Sequence, residues 1–277
     1  MIRKSVLIAF YLCFVLAFVY SAKPKAFTVI ILTDTQMGFI SKNENCDAEI
    51  VLYNQAVDFI NRIKPAFVVI TGDFVNRRTD TTQIRHFKAI TARIHRKIPV
   101  YLIPGNHDMG QLPTPESIDF YFKHYKNDRF EFTYRNVQFI GLNSCYINSG
   151  LEQEAEQYDW LKAKLNVHPT QTRKIVFTHH PFFIKNIDEP DSYSNIAQPR
   201  RAEHMQLFHE KGVLAVFSGH YHNNSESSFE GVQMITSSAI GKQLGQAKSG
   251  LRILQVSPDS ISHRYVNLSD LKNETHY

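Results

Sequence analysis

Short apolar runs recur along this chain, and five of them end in polar segments of unusual composition. Residues 27–32, 67–70, 100–103, 174–177 and 213–217 are rich in β-branched and aromatic side chains and lack the strict alternation of a half-solvated strand. Such runs predict strands buried on both faces of a sheet. Between them the apolar period lengthens. Asp47 is placed to cap a helix in which Ile50, Val57, Phe59, Ile60 and Ile63 recur at helical spacing and which ends before Pro65. Residues 152–165 predict a second helix, with Trp160, Leu161 and Leu165 on its core side, and residues 201–211 a third, stopped by Gly212. Residues 130–134 and 137–140, joined at Arg135-Asn136, predict a hairpin. From Val232 to Leu268 the pattern is that of antiparallel strands. No repeat, linker or low-complexity tract breaks this order. The expected fold class is α/β: two mixed β-sheets packed face to face as a sandwich flanked by helices, in one domain over residues 22–277.

The polar segments are Asp34-Thr35-Gln36, Gly72-Asp73, Gly105-Asn106-His107-Asp108, Thr178-His179-His180 and Gly219-His220-Tyr221-His222. In open α/β sheets, loops at the carboxyl ends of strands converge on one crevice. Asp, Gln, Asn and His delivered there together form the donor set of a two-metal hydrolytic site. Singly, each segment has a bland reading. Asp34 could cap a helix, Asn106 could serve a turn beside Gly105, and the last segment could be a turn with two surface histidines. The ordered set, on one repeated strand–loop context, favours the metal site.

These segments resemble the signature of the calcineurin-like metallophosphoesterases: D-x-H, G-D-x-x-D, G-N-H-[DE], a lone His, and G-H-x-H. Five longer stretches, Asp34 to Ile40, Gly105 to Gly110 with Pro113-Thr114, Phe217 to His222, Ser237 to Gly245, and His263-Arg264-Tyr265, resemble a narrower subgroup of small serine/threonine phosphatases. The resemblance spans residues 27–271. It implies a dinuclear metal-dependent phosphatase hydrolysing phosphomonoesters. Asp34, Gln36, Asp73 and His222 would hold one metal; Asp73, Asn106, His179 and His220 would hold the other, with Asp73 as the bridge. His107 would protonate the leaving alkoxide, with Asp108 orienting its ring. His179 is favoured over His180, which precedes Pro181 and is read as packing behind it. The implied cofactors are two divalent metal ions, Mn²⁺ foremost, with Fe, Mg and Zn as other candidates.

Two positions depart from the broad pattern. Gln36 replaces a His, giving a neutral oxygen ligand that should weaken the first metal and favour Mn²⁺ or Mg²⁺. The narrower subgroup also has Gln there. Asn76 replaces the last Asp of G-D-x-x-D, at modest expected cost.

The amino terminus bears on location. Arg3 and Lys4 precede an apolar run from Ser5 to Tyr20, so residues 1–21 read as a secretory signal peptide, with an uncleaved signal anchor as the alternative. Removing Arg3 and Lys4 takes the formal charge from +5 to +3, too mild for a nucleic-acid footprint. Arg77-Arg78, Lys97 and Arg200-Arg201 read as solvated surface, though one pair could help recruit phosphate. The mature chain keeps Cys46 and Cys145, either a disulfide or two buried thiols. Asn223, Asn267 and Asn273 open glycosylation sequons, the first crowding the pocket if modified. Tyr121, Tyr125, Phe182, Phe183 and Tyr193 read more simply as core or rim than as a pocket. The insertion from Asp188 to Pro199 is a candidate lid or specificity loop. Expected partners are a phosphorylated protein or small-molecule substrate, with no nucleic acid, and a membrane only if the signal is retained. Two other readings stay open: a secreted binding protein whose hydrolysis has decayed, and a phosphodiesterase.

Overall fold

Each of the five apolar runs forms a strand, and the polar segment after it leaves the sheet at its carboxyl end. The computed structural model describes residues 25–274 other than 171; residues 1–21, the expected signal peptide, lie outside them. The elements follow in the order β1 (Phe27–Leu32), α1 (Asp47–Ile63), β2 (Phe67–Thr71), α2 (Thr81–Thr91), β3 (Val100–Ile103), α3 (Asn106–Met109), α4 (Pro115–Tyr125), β4 (Phe130–Tyr134) and β5 (Val137–Gly141). Then come α5 (Glu152–Val167), β6 (Arg173–Phe177), α6 (Arg200–Glu210), β7 (Val213–Ser218), β8 (Ser225–Phe229), β9 (Val232–Thr236), β10 (Gly250–Val256) and β11 (Ile261–Asn267).

Two mixed sheets result, one of five strands in the order β11-β10-β1-β2-β3 and one of six in the order β4-β5-β6-β7-β9-β8. Alternation along each strand sorts side chains between layers. Val29 and Ile31 of β1 join Phe139, Ile175 and Phe217 of the other sheet in the central core. Ile30 and Leu32 point the opposite way, onto Tyr53 and Ile60 of α1. Val176 and Val216 likewise face Leu161 of α5 and Phe208 of α6. The strands are therefore covered on both faces, which is why their sequences are nearly all apolar.

Register places the site. Leu32 pairs with Ile70 and Thr71 with Ile103, so the segments bearing Asp34, Asp73 and Asn106 leave the first sheet side by side. Phe177 pairs with Phe217, which brings His179 next to Gly219 and His220 at the same edge of the second sheet.

Several expectations are corrected. Asp47 is the first helical residue of α1 and not its cap; Cys46 occupies the cap position, and the Asp47 N–H donates to Asn45 Oδ1 at 3.0 Å. Trp160 packs on the core side as expected but is only partly buried, under the guanidinium of Arg129 at 5.5 Å, whereas Leu161 and Leu165 are fully core. The tail is not one antiparallel unit: β9 lies in the other sheet, parallel to β7, while β10 and β11 pair beside β1. β8, α2 and α4 were not anticipated, although Asp80 caps α2 by accepting from Thr82 and Gln83, and Thr114-Pro115 opens α4. Cys46 and Cys145 are free buried thiols, so the disulfide does not form. Tyr121, Phe182 and Phe183 are core and Tyr193, 62% exposed, is rim, both within the simpler reading.

The central layer makes a quantitative prediction. Phe139→Ala should lower the unfolding free energy by ~3–5 kcal/mol through transfer and cavity terms. Val51→Ala, at a position 56% exposed on α1, should stay within ~0.5 kcal/mol. Urea unfolding followed by circular dichroism, with equal m-values, checks both; equal losses would mean the layer assignment is wrong.

Candidate metal centre

Asp34 and Asp73 lie at the carboxyl ends of the adjacent parallel strands β1 and β2, and both are buried, at 0% and 1% exposure. Main-chain bonds lock the two segments together: Asp34 N donates to Gly72 O at 3.1 Å and Gln36 N to Asp73 O at 2.8 Å. Gly72 makes the close approach possible. It has φ +90°, and a Cβ there would meet Gly105 N at 2.5 Å and His179 Nδ1 at 2.7 Å.

Five of the seven candidate ligands hold left-handed backbone: Asp34 (φ 52°), Gln36 (37°), Asp73 (52°), His220 (67°) and His222 (51°). This conformation is uncommon for residues with a Cβ, and its occurrence in a cluster is characteristic of functional sites. It turns each side chain back toward the seam between the sheets.

There the donors converge. Asp34, Asp73 and His179 each offer a ligand atom within 4.8 Å of the others, and so do His179, His180 and His220. His179 Nε2 lies 3.1 Å from Asn106 Oδ1 and 3.4 Å from Asp73 Oδ1. His222 Nε2 lies 3.1 Å from Asp34 Oδ1. Gln36 is buried, donates its amide Nε2 to Asn76 Oδ1 at 3.4 Å, and leaves Oε1 without a hydrogen-bond partner among the described residues.

Each histidine of the expected set has one ring nitrogen engaged by a backbone carbonyl. His179 Nδ1 meets Thr71 O at 2.7 Å, His220 Nε2 meets Tyr193 O at 2.7 Å, and His222 Nδ1 meets Lys242 O. A carbonyl only accepts, so that nitrogen must carry a hydrogen. The remaining nitrogen is left to face the cluster, as a metal ligand requires. The donor set therefore fits two divalent cations: two buried carboxylates, an unpartnered amide oxygen and three imidazoles of fixed tautomer.

The electrostatics agree. Burial alone would raise the pKa of both aspartates, but the charge and hydrogen bond of His222 hold Asp34 below its usual value, and those of His179 do the same for Asp73. His179 is opposed by its own burial yet is raised to about 9 by Asp73, while His220 is pushed down to about 4 by burial and then by His179. The two carboxylates likewise favour the charged forms of the His179 and His222 rings, the same compensation that a cation between these groups would supply.

His107 stands at the rim, its N–H donating to Asp73 Oδ1 at 2.8 Å. Asp108 does not orient its ring. Its oxygens instead accept from the backbone of Phe74 at 2.9 Å, Val75 at 3.4 Å and Gly105 at 2.9 Å, and His107 Nδ1 meets Asn76 O at 2.8 Å. Burial, then the neighbouring Asp73, pushes the Asp108 pKa well up.

Three residues that the sequence marked only as supporting, packing or rim positions take part in the site. Asn76 touches both Gln36 and His107; only its departure from the family pattern marked it. His180 is bonded through Nδ1 to Ser144 Oγ at 2.9 Å, with Nε2 buried and unpartnered beside His220. Tyr193 binds His220 through its carbonyl and Asn106 through its hydroxyl at 2.9 Å. The insertion carrying it is pinned from beneath by the buried Arg201, which donates to the carbonyls of Ile187, Glu189 and Ile196. It is a built loop closing one side of the site.

The model of the calcineurin-like phosphoesterase family matches residues 27–224. The mouse serine/threonine-protein phosphatase CPPED1 is 36% identical over 258 residues, covering 86% of this chain and 83% of that protein. A probable glycerophosphodiester phosphodiesterase GpdQ of Arcobacter nitrofigilis is 26% identical over 267 residues, covering 90% and 92%. A dimetal phosphatase from Danio rerio shares the fold, with TM-score 0.62 at 16% identity over 86% of this chain and 98% of that one. The chain belongs to the calcineurin-like phosphoesterase family and is a metal-dependent hydrolase of phosphoric esters.

Proposed function

We propose that the protein is a phosphomonoesterase of the secretory pathway acting on phosphoserine and phosphothreonine proteins, with His107 as its general acid. The observation that carries the site assignment is the set of three imidazoles, each tied to a backbone carbonyl on one side, with the rings of His222 and His179 against Asp34 and Asp73 and that of His220 beside His179. Asp34, Gln36, Asp73 and His222 would hold one cation, and Asp73, Asn106, His179 and His220 the second. When bound, two such ions supply Lewis acidity at the phosphoryl oxygens and a water of lowered pKa.

The chain's own groups do the rest. Asp73 belongs to both donor sets and accepts from the His107 backbone N–H at 2.8 Å, so one carboxylate would hold the cations and also anchors the segment carrying the acid. Asn76 O accepts from His107 Nδ1, which leaves Nε2 to carry or release the proton for the leaving oxygen. Asn76 Oδ1 takes the Gln36 amide N–H, so the oxygen of Gln36 is the atom left for a ligand role. That oxygen is hard and neutral, which supports Mn²⁺ or Mg²⁺. The phosphoprotein substrate is supported by the likeness to CPPED1. The secretory location is supported by Arg3-Lys4 and the apolar run after them. Asn223 packs so closely on Gly245 that a Cβ there would strike its side chain, which disfavours glycosylation at that sequon; Asn273 is exposed.

Three outcomes follow. Protein stripped with chelator should regain hydrolysis of p-nitrophenyl phosphate on adding Mn²⁺, and Asp73→Ala should neither regain it nor bind two ions by calorimetry; no turnover by folded protein with any divalent metal would favour a binding role. His107→Asn should keep both ions while kcat falls by ~10²–10⁴-fold, and an unchanged kcat would remove His107 from the chemistry. Translation with microsomes should yield a mature chain starting at Ala22, read by amino-terminal sequencing; a retained amino terminus would mean an anchor.

A further inference from the structure

A cavity of about 380 Å³ opens beside His107, its lining including Asn76, Arg77, Arg78, Asn106, His107 and Tyr193. It is continuous with the reaction centre, because Asn106 is a candidate ligand and His107 the candidate acid. An acid that protonates the leaving oxygen faces the group bearing that oxygen. The space beyond His107 is therefore the leaving-group side.

The two arginines are available. Among the described residues neither guanidinium has an ion pair or a side-chain hydrogen bond, whereas those of Arg93, Arg200, Arg201 and Arg252 are all engaged. Nearby Asp80 is occupied, its Oδ1 accepting the first N–H groups of α2. The turn carrying the pair is held rigidly: Gln83 Oε1 accepts from Asn76 N at 3.1 Å and from Arg77 N at 2.8 Å, and Arg77 O accepts from Asp80 N at 2.9 Å. Tyr193, in the same lining, is fixed through its hydroxyl and its carbonyl, so this part of the cavity is also set. Two free guanidiniums on a fixed turn match a carboxylate well, since the planar fork donates two parallel N–H bonds. The cavity lacks the interleaved aromatics and extended basic stripe that a nucleic acid needs.

We propose that Arg77 and Arg78 recognise an acidic side chain flanking the phosphorylated residue, making this a phosphatase for phosphoserine and phosphothreonine in acidic sequence context. The inference rests on the phosphomonoesterase reading and names its substrate class.

The test compares two fluorescein-labelled phosphoserine peptides, one with Asp on both sides of the phosphoserine and one with Ala, on the Mn²⁺-loaded protein. The wild type should favour the Asp peptide by about 5- to 20-fold in kcat/KM, chiefly through KM, as two partly screened ion pairs allow. NaCl at about 1 M, where the screening length is ~3 Å, should erode the ratio. In the Arg77→Gln/Arg78→Gln variant, altered only at exposed positions, the ratio should fall to about one. A wild type without preference, or a variant that retains it, overturns the proposal. A variant that loses the same factor on both peptides and on p-nitrophenyl phosphate also overturns it, since the guanidiniums would then hold the phosphoryl group itself. Anisotropy with the same peptides on His107→Asn reads recognition without turnover. Preference in binding with no hydrolysis by the wild type would sustain acidic recognition and remove the phosphatase reading; hydrolysis without preference would do the reverse.

Discussion

Two carboxylates buried close together at the seam of two sheets constrain the rest of this structure. Asp34 and Asp73 have almost no contact with solvent, and each buried ion costs several kcal/mol even after its surroundings relax. Like charges at such range add to that cost. The surroundings answer it on every side: His220 N donates to Asp34 Oδ2 at 3.0 Å, His107 N to Asp73 Oδ1, and the rings of His222 and His179 stand against the two carboxylates. The first pair of these groups comes from both sheets, so the site also fastens the sandwich at one edge.

Convergence of this kind demands backbone that a helix or strand does not provide. Left-handed geometry at Asp34, Gln36, Asp73, His220 and His222 stores on the order of 1–3 kcal/mol at each residue. Glycine would relieve the strain but would remove the ligand. The strain is sustained because each of these residues lies within four residues of the end of a strand locked in a core covered on both faces. Gly105 stands instead where only close approach is needed, and Gly72 where close approach coincides with φ +90°.

The two departures from the family pattern are one local adjustment. Gln36 and Asn76 are 40 residues apart in sequence yet share a hydrogen bond, and Asn76 also reaches Asn43 at 2.8 Å. A neutral amide pair thus occupies a place where the broad pattern has ionisable groups. The same Asn76 holds His107 through its carbonyl, which links the ligand side of the site to the proton-transfer side. On the opposite side, the pinned loop bearing Tyr193 fixes the tautomer of His220. A segment that looks like a surface insertion is therefore part of the metal centre.

The five ligand-bearing strands, the two-sheet architecture, the hairpin at Arg135-Asn136 and the family were legible in the chain because they depend on local pattern: runs of β-branched residues, turn chemistry, and ligand types at strand ends. The same locality explains the readable helices and the missed ones, since α2 and α4 announce themselves through caps more than through apolar period. Sequence by itself determined which residue types would meet at the carboxyl ends of five strands. Only the tertiary structure decided how they meet. The backbone partner of each imidazole, the transfer of ring orientation from Asp108 to the Asn76 carbonyl, the inclusion of Tyr193, and the burial of Cys46 and Cys145 as free thiols all depend on contacts between residues far apart in the chain. Those contacts are set by how two sheets pack and register, and no local pattern encodes them.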